Sequence, residues 1–309
     1  MSSIKKYLSL VKFSHTIFAM PFAIIGFFLG VFSSAISVVP GWHTITFAPA
    51  SLKLVFKLFF LVILCMVFAR SAAMAFNRYL DRNFDAKNPR TAIREIPAGI
   101  ILKESALRFV IINSLLFIMA TFFINRICLF LSPVALFVIL FYSYTKRFTP
   151  LCHLVLGVGL SLAPIGAYLA VTGAFAFLPI LFSFAVIFWV SGFDIIYALQ
   201  DVEFDQSQKL YSMPTWLGKT KALRVSELLH ILSAMCVVLA GIYGFFGWWY
   251  WIGIGVFIGM LIYQHSIVKP NDLSKVNIAF MTVNGIASVV FSVFVLLDIF
   301  FNHRSNSIF

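Results

Sequence analysis

Seven of the chain's 11 acidic residues fall in two short polar segments. The first, NRYLDRNFDAKNPRTAIREIPAG, carries Asn77, Asp81 and Asp85 at i, i+4 and i+8, with Glu95 further on. At about 100° per residue these three drift only about 40° per step and stay on one helix face. The second, DIIYALQDVEFD, carries Asp194, Asp201 and Asp205 at i, i+7 and i+11, within about 20° of one line on an ideal helix, with Glu203 between the last two. Like charges one turn apart repel, and ionised groups at membrane depth are costly unless paired. A hard divalent cation removes that penalty. Mg²⁺ takes oxygen ligands, commonly one or two carboxylates together with substrate phosphates and water. Two such stripes, 120 residues apart from Asp81 to Asp201, are suited to clamp a diphosphate between them. Basic residues lie alongside for the remaining phosphate oxygens: Arg78, Arg82, Lys87, Arg90 and Arg94 beside the first, Lys209 beside the second, and Lys146 and Arg147 between them in sequence.

The elements that must position these groups are membrane helices. Hydrophobic residues make up 61% of the chain and charged ones 11%, with a mean hydropathy of +1.00; soluble domains carry about 25% charged residues. The apolar runs are continuous, which argues against a transmembrane β-barrel. Nine spans are expected, at 16–38, 54–76, 106–123, 127–143, 151–171, 175–199, 222–243, 248–267 and 276–300, forming one membrane domain over 1–309. The stretch 1–35 is too long in its apolar part for a signal peptide and reads as a retained span. The net charge of +12 is spread over short loops between spans and is a topology signal rather than a nucleic-acid footprint. With the N-terminus in the cytoplasm, all but five of the 23 Lys and Arg lie on the inner side. Lys53, Lys57, Arg126 and Arg304 lie outside and Arg70 lies within the second span. Both acidic segments then face the cytoplasm. Cys65, Cys128, Cys152 and Cys236 stand singly in or beside apolar spans and read as packing residues.

The order and spacing of these motifs resemble the UbiA superfamily of intramembrane aromatic prenyltransferases over nearly the whole chain. Asn77, Asp81 and Asp85, followed by Thr91, Arg94 and Gly99, match its first motif. Asp194, Tyr197, Ala198, Asp201 and Asp205, followed by Ser212 and Gly218, match its second, and Tyr142, Lys146, Arg147 and Thr149 match the YxxxKRxT element between them. The last element and the DRxFD form of the first motif are most similar to the 4-hydroxybenzoate polyprenyltransferase branch. Departures are Arg78 directly after Asn77, and His15 and Thr16 where that branch has Lys-Pro.

The resemblance implies an all-α bundle of about nine transmembrane helices around a central cavity with cytoplasmic cap loops, in the cell's inner membrane. It implies a polyprenyl diphosphate donor and an aromatic acceptor such as 4-hydroxybenzoate. Asn77, Asp81, Asp85, Asp201 and Asp205 are then the Mg²⁺ ligands, directly or through water. Lys12, Arg82, Arg94, Tyr142 and Lys146 face the diphosphate. Asp194, Lys146 and Arg147 are the catalytic candidates; Asp194 orients the acceptor, takes its proton or supports a metal ligand. Arg70 either receives an acceptor carboxylate or snorkels to the interface. His15 reads as a packed or interfacial residue. The alternatives to 4-hydroxybenzoate transfer are a menaquinone-pathway prenyltransferase with another aryl acceptor and an ion-coupled transporter, whose acids usually sit near the bilayer midplane.

Overall fold

The computed structural model describes residues 3–12, 18–33 and 52–302. His15 and Thr16 lie outside the described residues. Twelve α-helices follow in chain order: α1 (Ser3–Leu10), α2 (Met20–Phe32), α3 (Leu52–Asp85), α4 (Lys103–Phe122), α5 (Arg126–Thr145), α6 (Cys152–Thr172), α7 (Phe177–Ala198), α8 (Val202–Ser207), α9 (Met213–Leu217), α10 (Lys219–Tyr243), α11 (Trp248–Ile267) and α12 (Asn284–Phe301). Among the described residues there is no β-strand, only an isolated bridge between Lys269 and Asp272. Among the described residues eight helices are long and apolar enough to cross a bilayer, and α2 is a shorter apolar helix of 13 residues. The chain is an all-α integral membrane protein. The nine expected spans each have a counterpart; the ends of the first, at 16–17 and 34–38, lie outside the described residues.

With no solvent to drive apolar helices together, contact between them rests on close packing and on hydrogen bonds in a dry medium. Serine hydroxyls tie the helices to one another through backbone carbonyls. Ser183 on α7 donates to the Ser161 carbonyl of α6 at 2.9 Å. Ser233 on α10 donates to Ala185 of α7 at 2.8 Å, and Ser292 on α12 to Pro21 of α2 at 3.1 Å. Gly26 lets α2 lie directly on α6: a Cβ there would stand 2.9 Å from Pro164 Cα and closer still to its carbonyl oxygen. The centre of the bundle is aromatic, built on Phe22, Phe182, Trp189, Tyr250, Phe257 and Phe291.

Three local features differ from regular helix and bear on the site. Helix α3 has 34 residues, about 51 Å at 1.5 Å per residue. That exceeds a bilayer core of about 30 Å, so its last two turns, carrying Asn77, Asp81 and Asp85, extend past the apolar part. Helix α7 gives way to a 3₁₀ turn at Leu199–Asp201 before α8. The second acidic stripe therefore does not run along one ideal helix, as its spacing predicts. Before α12 the chain forms a π-helical turn at Ile278–Val283. Its loosened carbonyls are taken up by buried amides: Gln264 donates to Ala279 at 3.1 Å, and Asn284 to Ala279 at 3.0 Å and Phe280 at 3.1 Å.

Candidate active site

The C-terminal ends of α3, α5 and α7 meet the N-terminal end of α6, and there a cavity of about 920 Å³ opens. Asn77, Asp81 and Asp85 from α3 line it together with Asp194 from α7, Asp201 from the 3₁₀ turn and Asp205 from α8. Lys12, Arg70, Arg90, Arg94, Tyr142 and Lys146 line it as well. Both acidic stripes, distant in sequence, thus share one cavity at the same end of the bundle.

The acids do not stand as two free rows. Each is matched to a base across an element boundary. Asp81 Oδ1 accepts from Arg147 at 2.8 Å, and Asp85 Oδ1 from Arg94 at 2.7 Å. Asp201 is held by the Arg90 guanidinium, with Nε at 3.1 Å from Oδ1, and by Asn88 at 3.3 Å. The Lys146 ammonium lies 2.8 Å from Asp205 Oδ1. Burial works against the Lys146 charge, but Asp205 beside it more than offsets that and holds its pKa above the usual lysine value. Asn77 donates to Asp81 Oδ2 at 3.2 Å.

The segment between α3 and α4 makes this cross-pairing possible. It folds back over the α3 terminus through Thr91, whose hydroxyl donates to the Asp85 carbonyl at 3.2 Å, and turns at Gly99 with φ +70°. Arg90 and Arg94 are thereby carried to opposite stripes. From the other side Tyr211 donates its N–H to the Lys146 carbonyl at 2.8 Å. Ser212 caps α9 through Thr215, and Gly218 takes φ +78° at the start of α10. These two motif residues shape the chain and are absent from the cavity wall.

Two of the expected site residues, Arg82 and Arg147, are off the cavity wall. Arg82 Nη1 donates to the Tyr79 carbonyl at 2.6 Å and its guanidinium lies over the Tyr79 ring. Four residues separate it from Arg78, so it shares a side of α3 with that residue yet points toward Tyr79. Arg147 also lies behind the wall, bonded to Asp81 and to the Ser143 and Leu80 carbonyls at 3.0 and 3.2 Å. It braces Asp81 from the rear instead of facing the cavity.

A divalent cation at this site would have to draw on its unpaired carboxylate oxygens. Among the described residues no three acid, histidine or cysteine side chains converge closely enough to hold a metal by themselves, and the paired acids each already meet a base. Buried Asp85 Oδ2 and Asp205 Oδ2 have no hydrogen-bond partner. An oxygen-only set with unsatisfied carboxylate atoms fits a cation that takes one or two carboxylates and completes its shell with phosphate and water.

Sequence reasoning missed His153. It is 3% exposed at the start of α6, and its Nδ1 lies 2.7 Å from Asp194 Oδ2. The Met213 N–H donates to its Nε2 at 3.3 Å. Since Nε2 accepts, the proton sits on Nδ1 and is donated to Asp194. A lone histidine between a cysteine and a leucine gave no spacing signal. Deeper in, Arg70 donates to the Lys12 carbonyl at 3.5 Å, and its buried Nε has no partner among the described residues. On the α7 side the wall is aromatic: Phe280 from the π-helical turn stands 4.2 Å from Tyr197 and 5.5 Å from Phe193 by ring centroids.

A membrane-embedded helical bundle with acids and bases around the mouth of an apolar cavity is built for an amphiphile with an anionic head. Residues 37–286 match the UbiA prenyltransferase family, and the chain belongs to it. It is a prenyltransferase, not an ion-coupled transporter. The chain is 31% identical to a 4-hydroxybenzoate octaprenyltransferase of Nitrosomonas europaea, over 77% of this chain and 81% of that one. It is 27% identical to a protein of the same name from Coxiella burnetii, over 81% and 85% of the two chains. Among solved structures it resembles the apo form of a UbiA homolog from Aeropyrum pernix K1, with TM-score 0.77 at 27% identity over 92% of this chain and 98% of that one. A UbiA homolog from Archaeoglobus fulgidus bound to GPP and Mg²⁺ has the same fold, with TM-score 0.68 at 20% identity over 95% and 99%.

Proposed function

We propose that the chain transfers a polyprenyl group from polyprenyl diphosphate to the ring of 4-hydroxybenzoate, in respiratory quinone biosynthesis. The observation that carries this reading is the cavity itself, charged at one end and apolar beyond it. The names of the Nitrosomonas and Coxiella relatives support the choice of acceptor and of a long donor. Arg70 supports it from within the chain, because a guanidinium on the cavity wall whose buried Nε is unpaired among the described residues suits the carboxylate of an aryl acid.

In this reading Asp81, Asp85, Asp201 and Asp205, with Asn77, hold Mg²⁺, which supplies Lewis-acid neutralisation of the leaving diphosphate. Lys146, Arg90 and Arg94 turn from their carboxylates toward phosphate oxygens as the head enters, and Lys12 and Tyr142 complete the head's surroundings. Breaking the C–O bond leaves an allylic cation. Phe193, Tyr197 and Phe280 exclude water from it and offer ring faces. The electron-rich ring attacks ortho to its hydroxyl, and Asp194 accepts the displaced ring proton. The apolar wall between α3, α5 and α6 receives the tail.

Purified protein in detergent, given labelled octaprenyl diphosphate and a panel of aryl acids, should prenylate 4-hydroxybenzoate with Mg²⁺ and lose that activity in EDTA. Mass spectrometry reads the product. Prenylation of a different aryl acid alone would replace the acceptor, and activity undiminished by EDTA would remove the metal. We further propose that the protein lies in the cytoplasmic membrane with its N-terminus and this cavity mouth on the cytoplasmic face, as the placement of Lys and Arg indicates. Lys87→Cys should react with an impermeant maleimide in inside-out vesicles and stay unlabelled in right-side-out ones; the reverse pattern would invert the topology.

A further inference from the structure

Most glycines in the bundle are there because something presses on them. A Cβ on Gly157 would meet the Ile187 carbonyl carbon at 3.2 Å, and one on Gly30 would meet Val171 Cβ at 2.9 Å. Gly159 and Gly166 on α6 differ, as do Gly255 and Gly259 on α11, and of these four the α6 pair is the one on the cavity wall. Among the described residues, a Cβ on Gly166 would have nothing within 4 Å, and one on Gly159 only ordinary contacts with Ile139 at 3.8 Å or more. For this pair the open space beside the missing side chain is the cavity itself.

Their positions along α6 are also informative. Gly159 and Gly166 are one heptad apart, within about 20° of the same face. Counted from His153 beside Asp194, Gly159 lies about 9 Å and Gly166 about 20 Å along the helix axis. The cavity continues past both to Ala170 and Phe175, so it follows α6 for most of its length. Cys65 of α3 and Cys128 of α5 line the same cavity.

Resting on the polyprenyl-transfer reading above, we propose that Gly166 is a determinant of donor length: its missing side chain keeps the channel open at the depth where a long tail must pass and a short tail has already ended. Gly159 sets the bore nearer the head, where every donor must pass. Chain-length preference is thereby built into α6 separately from the charged mouth.

The test compares geranyl and octaprenyl diphosphate as donors in wild type and in Gly166→Ala, Gly166→Val and Gly166→Leu, with Gly159→Leu alongside. Through the Gly166 series the ratio of kcat/KM for the octaprenyl donor over the geranyl donor should fall progressively, by about tenfold or more at leucine. Geranyl transfer, retained in the same proteins, reports that they are folded. Gly159→Leu should depress both donors. A ratio that stays at the wild-type value through the series, or a series in which both donors decline in parallel, overturns the inference. If wild type uses neither donor, the function reading itself fails, a result distinct from either outcome.

Discussion

Asp81→Ala and Asp201→Ala should each lower prenyl transfer by at least about a thousandfold, which is about 4 kcal/mol of lost transition-state stabilisation. The two residues sit on different stripes, so each substitution removes one jaw of the proposed grip on the diphosphate. The structure also indicates that the proteins will survive the change. Arg147, deprived of Asp81, keeps the Ser143 and Leu80 carbonyls as acceptors. Arg90, deprived of Asp201, keeps the Tyr197 hydroxyl at 2.9 Å. Neither guanidinium is left wholly unpaired, the situation that makes breaking a buried pair so destabilising. Thermal denaturation in detergent should therefore shift little while turnover collapses. Near wild-type turnover in either variant would mean that the stripes do not act together on one head group. A collapse of stability in parallel with activity would make the acids part of the scaffold.

The sequence disclosed the acids because a membrane protein with so few of them cannot place them idly. Their spacing on an amphiphilic helix end was enough to put Asn77, Asp81 and Asp85 on one face, and α3 runs unbroken through them. What spacing could not disclose is how the charges are shared out. Arg90 and Arg94 look equivalent in NPRTAIREI, yet they pair with Asp201 and Asp85 on different helices. That outcome depends on the fold of the chain over the α3 terminus. Arg82 has the same limitation: proximity in sequence to a stripe does not aim a guanidinium. The 3₁₀ turn at Leu199–Asp201 and the π-helical turn at Ile278–Val283 follow ordinary apolar patterns. They are held by groups outside the turn: Arg90 on Asp201 for the former, Gln264 and the adjoining Asn284 for the latter. The apolar spans, by contrast, were legible because bilayer thickness fixes their length and no tertiary contact is needed to recognise them.

His153 leads to the second large effect. It joins three parts of the site at once: α6 supplies it, α7 supplies Asp194, and the chain entering α9 supplies the Met213 N–H. Its role requires one donor and one acceptor facing in opposite directions, and a neutral ring in a fixed tautomer provides both. Glutamine carries the same two functions in its amide, whereas leucine carries neither. His153→Leu should therefore lower kcat by about a hundredfold, the usual penalty for a reacting group displaced by an ångström, with KM for the diphosphate donor little changed because the charged mouth is untouched. His153→Gln should recover most of that loss. A glutamine variant as inactive as the leucine one would show that the imidazole itself takes part in proton transfer. An active leucine variant would show that Asp194 needs no such support, and with it the assignment of Asp194 as the proton acceptor would lose its structural basis.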